Sequence, residues 1–485
     1  MSSPPTRKPK DHLDLAISEH VGHMNMQTSN VPRLSAKKFR ALIQQDPSWC
    51  RKLRQPIEIS GYCDMEGTTI THLSPYIIFT GGKKSGEVAS FKRCNALSVA
   101  EGVFRGFVNF SESGIERVGK LKILDTDRKG NATFFSSCKN LKEASGTFPG
   151  FVSFSNSGIH RIRALKVTRA KTDGSNSAAF FCDCKNLKAA AGIFAGLVNF
   201  SGSGIRKIGN LQIRRTGKNI FGEEDGYAAI FNNCGQLRIA EGRFHGAVSF
   251  IESGVTKIGR LLIKKPGSDG CASHFGSCHS LRVASGTYPG SVSFMFSGVT
   301  KIGQLKVGSD LDGWSADFEG CVDLKVARGI FQGAVDFGGS GIGKIGDLRI
   351  KKPSKKGYAA RFINCNNLTV AEGSYPGFVQ FSGSSIRRLG RLELKGTRQD
   401  GVAASFADCP IAQEKTDQET IKLRSGDYVW FDSELIPNSL FRFVLSQKKR
   451  KASETIRRIG PKAPRGGLAD DAVEAIEMLI RASDA

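Results

Sequence analysis

A chain of 485 residues with 39% hydrophobic residues, 56 Gly and 32 Phe against only 3 Trp and 7 Tyr has the makings of a long, turn-rich fold with a phenylalanine core, not of a disordered chain. Lys and Arg outnumber Asp and Glu by 70 to 45, a net charge of +25 that favours anionic partners such as nucleic acid, lipid head groups or acidic proteins, or simply keeps an elongated particle soluble. No window approaches the roughly 18 apolar residues of a spanning helix, and the opening MSSPPTRKPKDHLDLAISEH lacks the apolar stretch of a secretory signal. The expectation is a soluble cytoplasmic protein, with export by a specialised secretion machine left open.

In chain order, residues 1–34 read as a disordered basic and polar tail. SAKKFRALIQQDPSWCRKL predicts a helical N-terminal cap over 35–56, with Ser35 as N-cap and a restart at Asp46-Pro47. A half-copy, CDMEGTTITHLSPYII, then opens a repeat that starts near residue 57, with Met65 standing where later copies have Phe, followed by Ile70 and Ile78.

The repeat fills 57–411. Cys94, Cys138, Cys184, Cys234, Cys278, Cys321, Cys365 and Cys409 hold one slot, 43 to 50 residues apart. Each copy splits into two turns, A-x-F-x-x-C-x-x-L (AIFNNCGQL, ARFINCNNL) and V-x-F-x-x-S-x-I (VNFSGSGI, VDFGGSGI). From the first Phe to the second is always 19 residues, as in Phe91 to Phe110 and Phe362 to Phe381, while the return varies from 24 to 31. Constant spacing on one side and insertions on the other predict a solenoid of about sixteen coils, mainly β, with parallel stacked strands in step and loops growing from one edge. Alternating A-x-F and V-x-F place small and aromatic side chains inward with period two. The Gly of SGI (Gly114, Gly158, Gly204, Gly254, Gly298 and Gly341, replaced by Ser385 in the last copy) predicts a bend with an unusual backbone angle.

Beyond the repeat, 412–485 reads as a C-terminal cap, a polybasic segment and a terminal helix. IKLRSGDYVWFDSEL predicts a hairpin with Val429 and Phe431 on one face, KKRK (Lys448 to Lys451) reads as an import or nucleic-acid tail or a solvated linker, and LADDAVEAIEMLIRA as an amphipathic helix with Val473, Ile476 and Ile480 on one stripe.

The two turn patterns resemble the leucine-rich-repeat superfamily: A-x-F-x-x-C-x-x-L is similar to its cysteine-containing form, and the Ala-Phe and Cys before Leu resemble the BspA-like bacterial repeats. Phe, Val and Ala replace most leucines, and 19 residues is short for such a coil. A right-handed parallel β-helix is the alternative. The resemblance implies a scaffold for binding, without an enzyme site, and does not choose the ligand.

Three columns are candidate binding surfaces. The residue before the second apolar position of every second turn is basic: Arg117, Arg161, Lys207, Lys257, Lys301, Lys344 and Arg388. A second basic column follows the Leu of the Cys turn, at Lys142, Lys188, Arg238, Arg282 and Lys325, broken by Ser98 and Thr369. Together they suit a polyanion held by counterion release, or long stems covering apolar surface with wet heads. Small polar residues between Val and Phe (Asn109, Ser153, Asn199, Ser249, Ser293, Asp336 and Gln380) form the third, on the face that would be concave in a leucine-rich repeat. With no interleaved aromatics expected there, it suits protein recognition better than base stacking.

The ladder cysteines, about 10 Å apart if coils stack as strands do, are too far for disulfides and too regular for zinc pairs, so they read as structural thiols in a small core slot. No metal or cofactor is expected, and no catalytic residue is assigned; the insertion at 214–227, with Glu223 and Glu224, is the one place left for an added site. The sequence thus predicts a monomeric, non-enzymatic scaffold for protein–protein interaction, of the kind found in bacterial effectors or accessory proteins. Polyanion or nucleic-acid binding is the first alternative. A carbohydrate-active β-helix is the second, and it would need carboxylates clustered on one face, which the repeat slots do not supply.

Overall fold

The computed structural model describes residues 31–218 and 225–411, together with strands Ile421–Lys422, Tyr428–Phe431 and Glu434–Pro437. The tail before residue 31, the KKRK segment and the terminal helix lie outside these residues, as do Glu223 and Glu224. None of the described helices is long and apolar enough to cross a membrane.

Each coil contributes two strands. A short one ends just before the core Phe, as in Glu87–Ser90 and Phe107–Asn109; a longer one follows the Cys or Ser turn, as in Val99–Phe104 and Arg117–Ile123. The short strands pair in parallel, coil to coil, in one line from Cys63–Asp64 to Tyr428–Phe431 and form sheet 1. The longer ones form sheet 2, whose hydrogen bonding falls into runs of eleven, four and three strands. The expected repeat solenoid of parallel stacked coils is therefore the fold.

Its core is a single column of rings. Fifteen phenylalanines from Phe91 to Phe406, one per coil, stack nearly face to face with centroids 5.0–5.4 Å apart and planes within 15°. Rings from sheet 2 meet this column edge-on, for example Phe194 on Phe181 at 6.3 Å and Phe331 on Phe318 at 6.4 Å. Fully burying one such ring contributes about 1.5–3 kcal/mol, so neighbouring coils hold each other and no coil is stable alone.

Beside the rings runs a ladder in which thiol and hydroxyl alternate. Cys138 lies 3.4 Å from Ser113 Oγ, Cys184 3.5 Å from Ser157 Oγ and Cys234 3.5 Å from Ser203 Oγ, and each Sγ donates to the backbone carbonyl of the Phe one coil back, at 3.0–3.1 Å. Burial pushes these thiols up, Cys234 to about 11, so they stay protonated and act as donors. Seven of the eight ladder cysteines are buried, and Cys409, in the last copy, is partly covered.

The glycines of SGI do not have the unusual angle expected of them: the left-handed residue stands two positions earlier, as at Glu112, Asn156, Gly202, Glu252, Phe296 and Gly339. What those glycines supply is close approach. A Cβ on Gly114 would lie 2.0 Å from the Asn95 carbonyl oxygen and one on Gly158 1.8 Å from that of Lys139, so a side chain there would force adjacent coils apart.

Strict alternation also fails in sheet 1. Each Cys-turn strand carries one residue more than its neighbour: Glu87 pairs with Phe107 and Ala89 with Val108, leaving Val88 as a bulge, and Cys271 pairs with Ser291 and Ser273 with Val292, leaving Ala272. The extra residue swings the start of the strand back to the outer side.

At the near end, helix Ala36–Gln45 buries Phe39 and Ile43, with the Ser35 hydroxyl accepting from Lys38 N at 3.2 Å, and Phe39 packs edge-on against Trp49 and Phe79. Arg33–Ser35, unforeseen in the sequence, extends sheet 2 beside Ile57–Ser60. At the far end Tyr428–Phe431 turns back antiparallel on Glu434–Pro437, with Val429 buried.

Candidate functional site

All seven residues of the first basic column open a strand of sheet 2 and are exposed. They are not adjacent in the sheet: the pairing sets Glu143, Ala189 and Ile239 between Arg117, Arg161, Lys207 and Lys257. Among the described residues none of the seven makes an ion pair. The second column sits at the corner leading into the same sheet and is partly engaged. Arg238 and Arg282 donate to the carbonyls of Gly254 and Gly298 at 3.1 and 3.0 Å, and Lys142 pairs with Glu116 at 3.7 Å.

The third column lies on the outer side of sheet 1, but Ser153, Asn199, Ser249 and Asp336 are buried there. Their polar atoms serve the next turn: Asn109 Oδ1 accepts from Ser111 N, Asn199 Oδ1 from Ser201 N, and Ser249 donates to Asn232 Oδ1. The expectation that this face lacks aromatics is wrong, because the bulged coils interleave with it. Phe134 stands between Phe107 and Phe151, with centroids at 4.7 and 6.1 Å, Phe180 meets Phe151 at 4.9 Å, and Lys171 Nζ lies 4.4 Å over the Phe151 ring.

Farther along the same face the outward slots of successive coils are His274, Ser293, Asp317, Asp336 and Arg361. Here the return loops fold over sheet 1 and bring Asp269, Asp310 and Asp312 across from them, enclosing a cleft of about 360 Å³ that Cys271, Ser291 and Trp314 also line. The loops are stacked by glycines. Gly270 has φ +87°, and a Cβ there would sit 2.6 Å from Asp310 Cα, so only glycine lets the 269 and 310 loops lie this close.

Five aspartates against one arginine make this cleft negative on a chain of net charge +25. Arg361 Nη1 holds Asp336 Oδ2 at 2.6 Å, yet burial dominates and the Asp336 carboxyl stays above the usual range. Burial, and then the charge of Asp336, push Asp317 up to about 6 against the bond its carboxylate accepts from Glu319 N at 2.9 Å. Burial raises Asp310 as well.

Two groups here bring donor atoms within 4.8 Å of one another: Asp317, Glu319 and Asp336, and Asp269, Cys271 and His274. The carboxylates that the repeat slots were expected not to supply are thus clustered on one face, by slot exceptions at 317 and 336 and by loop residues. Asp336 was singled out in the sequence for its slot alone. The histidines share no repeat slot and Cys271 lies outside the thiol ladder, so the repeat pattern marks neither His274 nor Cys271; D-x-C-x-x-H at 269–274 is the one local signal for them. No protein family, curated protein or solved structure matches the chain.

Proposed function

We propose that the protein is a non-enzymatic binding scaffold that recognises a protein partner by receiving a basic side chain or segment in the acidic cleft of sheet 1. The observation that carries this reading is the sign of the cleft: five aspartates converge on one concavity of a strongly basic chain. A buried carboxylate is costly unless a cation meets it. Asp317, raised to about 6, and Asp310, also raised, both gain when a Lys or Arg side chain arrives. Trp314 lines the same cleft and brings an aromatic ring beside the carboxylates, a second kind of group that attracts a cation.

The coil geometry supports a parallel β-helix more than the leucine-rich-repeat relationship, since both arcs of each coil are strands where that superfamily places a helix or a 3₁₀ segment on one side. A monomer in the cytoplasm fits twelve free cysteines, which suit a reducing compartment.

A labelled Lys/Arg-rich peptide titrated into the intact chain tests the reading by fluorescence anisotropy. Saturable binding that weakens at least tenfold in Asp310→Asn/Asp312→Asn supports it. No binding, or equal binding by the variant, rejects it; net repulsion from the +25 chain makes non-specific capture of a basic peptide a small background.

The carbohydrate-active reading is favoured by one observation, the Asp317 and Asp336 carboxylates side by side on adjacent strands. Acid–base pairs in such enzymes have environments that push their two pKa values apart, whereas burial raises both here. Release of reducing ends from a polysaccharide panel, abolished by Asp317→Asn, would reverse the preference.

A further inference from the structure

At one end of the cleft three different ligand types converge. Asp269 ends the return loop, Cys271 opens the next strand of sheet 1 and His274 stands on its outward slot; a carboxylate oxygen, a thiol sulfur and a ring nitrogen lie within 4.8 Å of one another. Residues three apart on a regular strand face opposite sides. The bulge at Ala272 puts Cys271 and His274 on the same side.

We propose that Asp269, Cys271 and His274 form a binding site for a single divalent transition-metal ion of the zinc class. The geometry of the supporting groups carries this. Tyr227 Oη lies 2.9 Å from His274 Nε2, which fixes the ring and turns Nδ1 toward Cys271 Sγ, 4.0 Å away. Metal-ligating histidines are commonly oriented this way, by a hydrogen bond at the other nitrogen. Asp269 Oδ1 is held by Cys271 N at 2.8 Å, so carboxylate and thiol are positioned by one short turn.

Zinc–sulfur and zinc–nitrogen bonds of about 2.3 and 2.0–2.1 Å in tetrahedral geometry place S and N about 3.6 Å apart, a contraction of a few tenths of an ångström from the 4.0 Å in the structure. One oxygen, one sulfur and one nitrogen ligand select a borderline ion over calcium or magnesium. Three protein ligands leave a fourth position facing the cleft, as in zinc sites that keep an exchangeable position. On binding, the Cys271 thiol proton, which now faces the Ser291 carbonyl at 3.5 Å, leaves to solvent as the sulfur–metal bond forms, one proton for each ion.

The inference rests on this cluster and not on the peptide reading, so its test uses no peptide. The intact chain, stripped with a chelator, is titrated with Co²⁺ and followed by the thiolate-to-cobalt charge-transfer band and the visible bands of tetrahedral cobalt. The expected result is one such site per chain, displaced by Zn²⁺ and retained in Cys182→Ser, a control at a partly exposed thiol outside the cluster, two residues from Cys184. Cys271→Ser should abolish the charge-transfer band. Tyr227→Phe, which keeps the packing and removes one hydroxyl, should weaken Co²⁺ binding about 10–100-fold. Absence of the band in the wild-type chain, or a band unchanged in both Cys271→Ser and Tyr227→Phe, overturns the proposal whatever becomes of peptide binding.

Discussion

Along sheet 2, Arg117, Arg161, Lys207, Lys257, Lys301, Lys344 and Arg388 keep a cation in the same slot of every copy, each exposed and facing water. In the cleft of sheet 1 the outward slots change from coil to coil, through His274, Ser293, Asp317, Asp336 and Arg361, and Asp336 is only 6% exposed. One surface is made by copying the repeat and the other by departing from it. A copied surface residue need satisfy only the common backbone; a buried or half-buried exception must be held by its own partners, here Arg361 for Asp336 and Tyr227 for His274. The chemistry is therefore sought where the repeat is broken.

The core does not share this difference, which the largest expected effect checks. Phe275 lies beneath the cleft, stacked at 5.0 Å on Phe250 and 5.4 Å on Phe294; Phe200, away from it, has neighbours at 5.1 and 5.0 Å. Phe275→Ala and Phe200→Ala should each cost about 3–5 kcal/mol in chemical denaturation. Equal losses would show one continuous column; a much smaller loss at Phe275 would mean the cleft is locally relaxed.

The uniformity of that column is also what made the fold legible. Within each copy, from Phe91–Phe110 to Phe362–Phe381, the two rings keep a 19-residue step, and across returns of 24 to 31 residues the loops absorb the difference while ring still meets ring. The cleft was legible only in part. Asp336 occupies a visible slot, but Asp269, Asp310 and Asp312 belong to loops of unequal length, and their convergence depends on Gly270 packing against the next loop. Cys271 and His274 were hidden for a different reason: period-two reasoning assigns them opposite faces, and the bulge that unites them shows in pairing registers, not in composition.

Within the cleft, Asp317 offers the next effect. Its carboxyl is raised to about 6 in the fold against about 3.9 in an unfolded chain, so the native state binds the proton more tightly. This favours folding fully below about pH 4, and the advantage is lost as pH rises through about 6. Asp317→Asn should then be more stable than wild type at pH 7, by at most about 3 kcal/mol, with the gap closing on acidification. Urea melts of both chains from pH 4 to 8 would show it. An ordinary acidic surface residue would give no such gap.

Arg361→Met tests the opposite partner. It leaves the Asp336 carboxylate buried without its 2.6 Å contact, and should cost about 1–3 kcal/mol at neutral pH. Adding Asp336→Asn should restore most of that loss, since the penalty comes from the orphaned charge and not from the missing guanidinium. Failure of the second substitution to rescue the first would mean that Arg361 acts through packing.

The smallest expected effect belongs to the copied surface. Lys207→Gln/Lys257→Gln/Lys301→Gln removes three exposed cations that make no ion pair among the described residues, and stability should stay within about 0.5 kcal/mol per site. Binding separates the two explanations of the column. These lysines recur every second coil, on the order of 10 Å apart, close to the Debye length of about 8 Å at physiological salt, so their mutual repulsion is largely screened and alternation along the sheet makes the column tolerable. If the column contacts phosphates, affinity for duplex DNA should fall steeply with salt, and the triple variant should reduce the slope of log K against log salt by about 2.7. An unchanged slope would show that duplication alone retained the lysines, their aliphatic stems lying against Ile239 and its neighbours in the sheet.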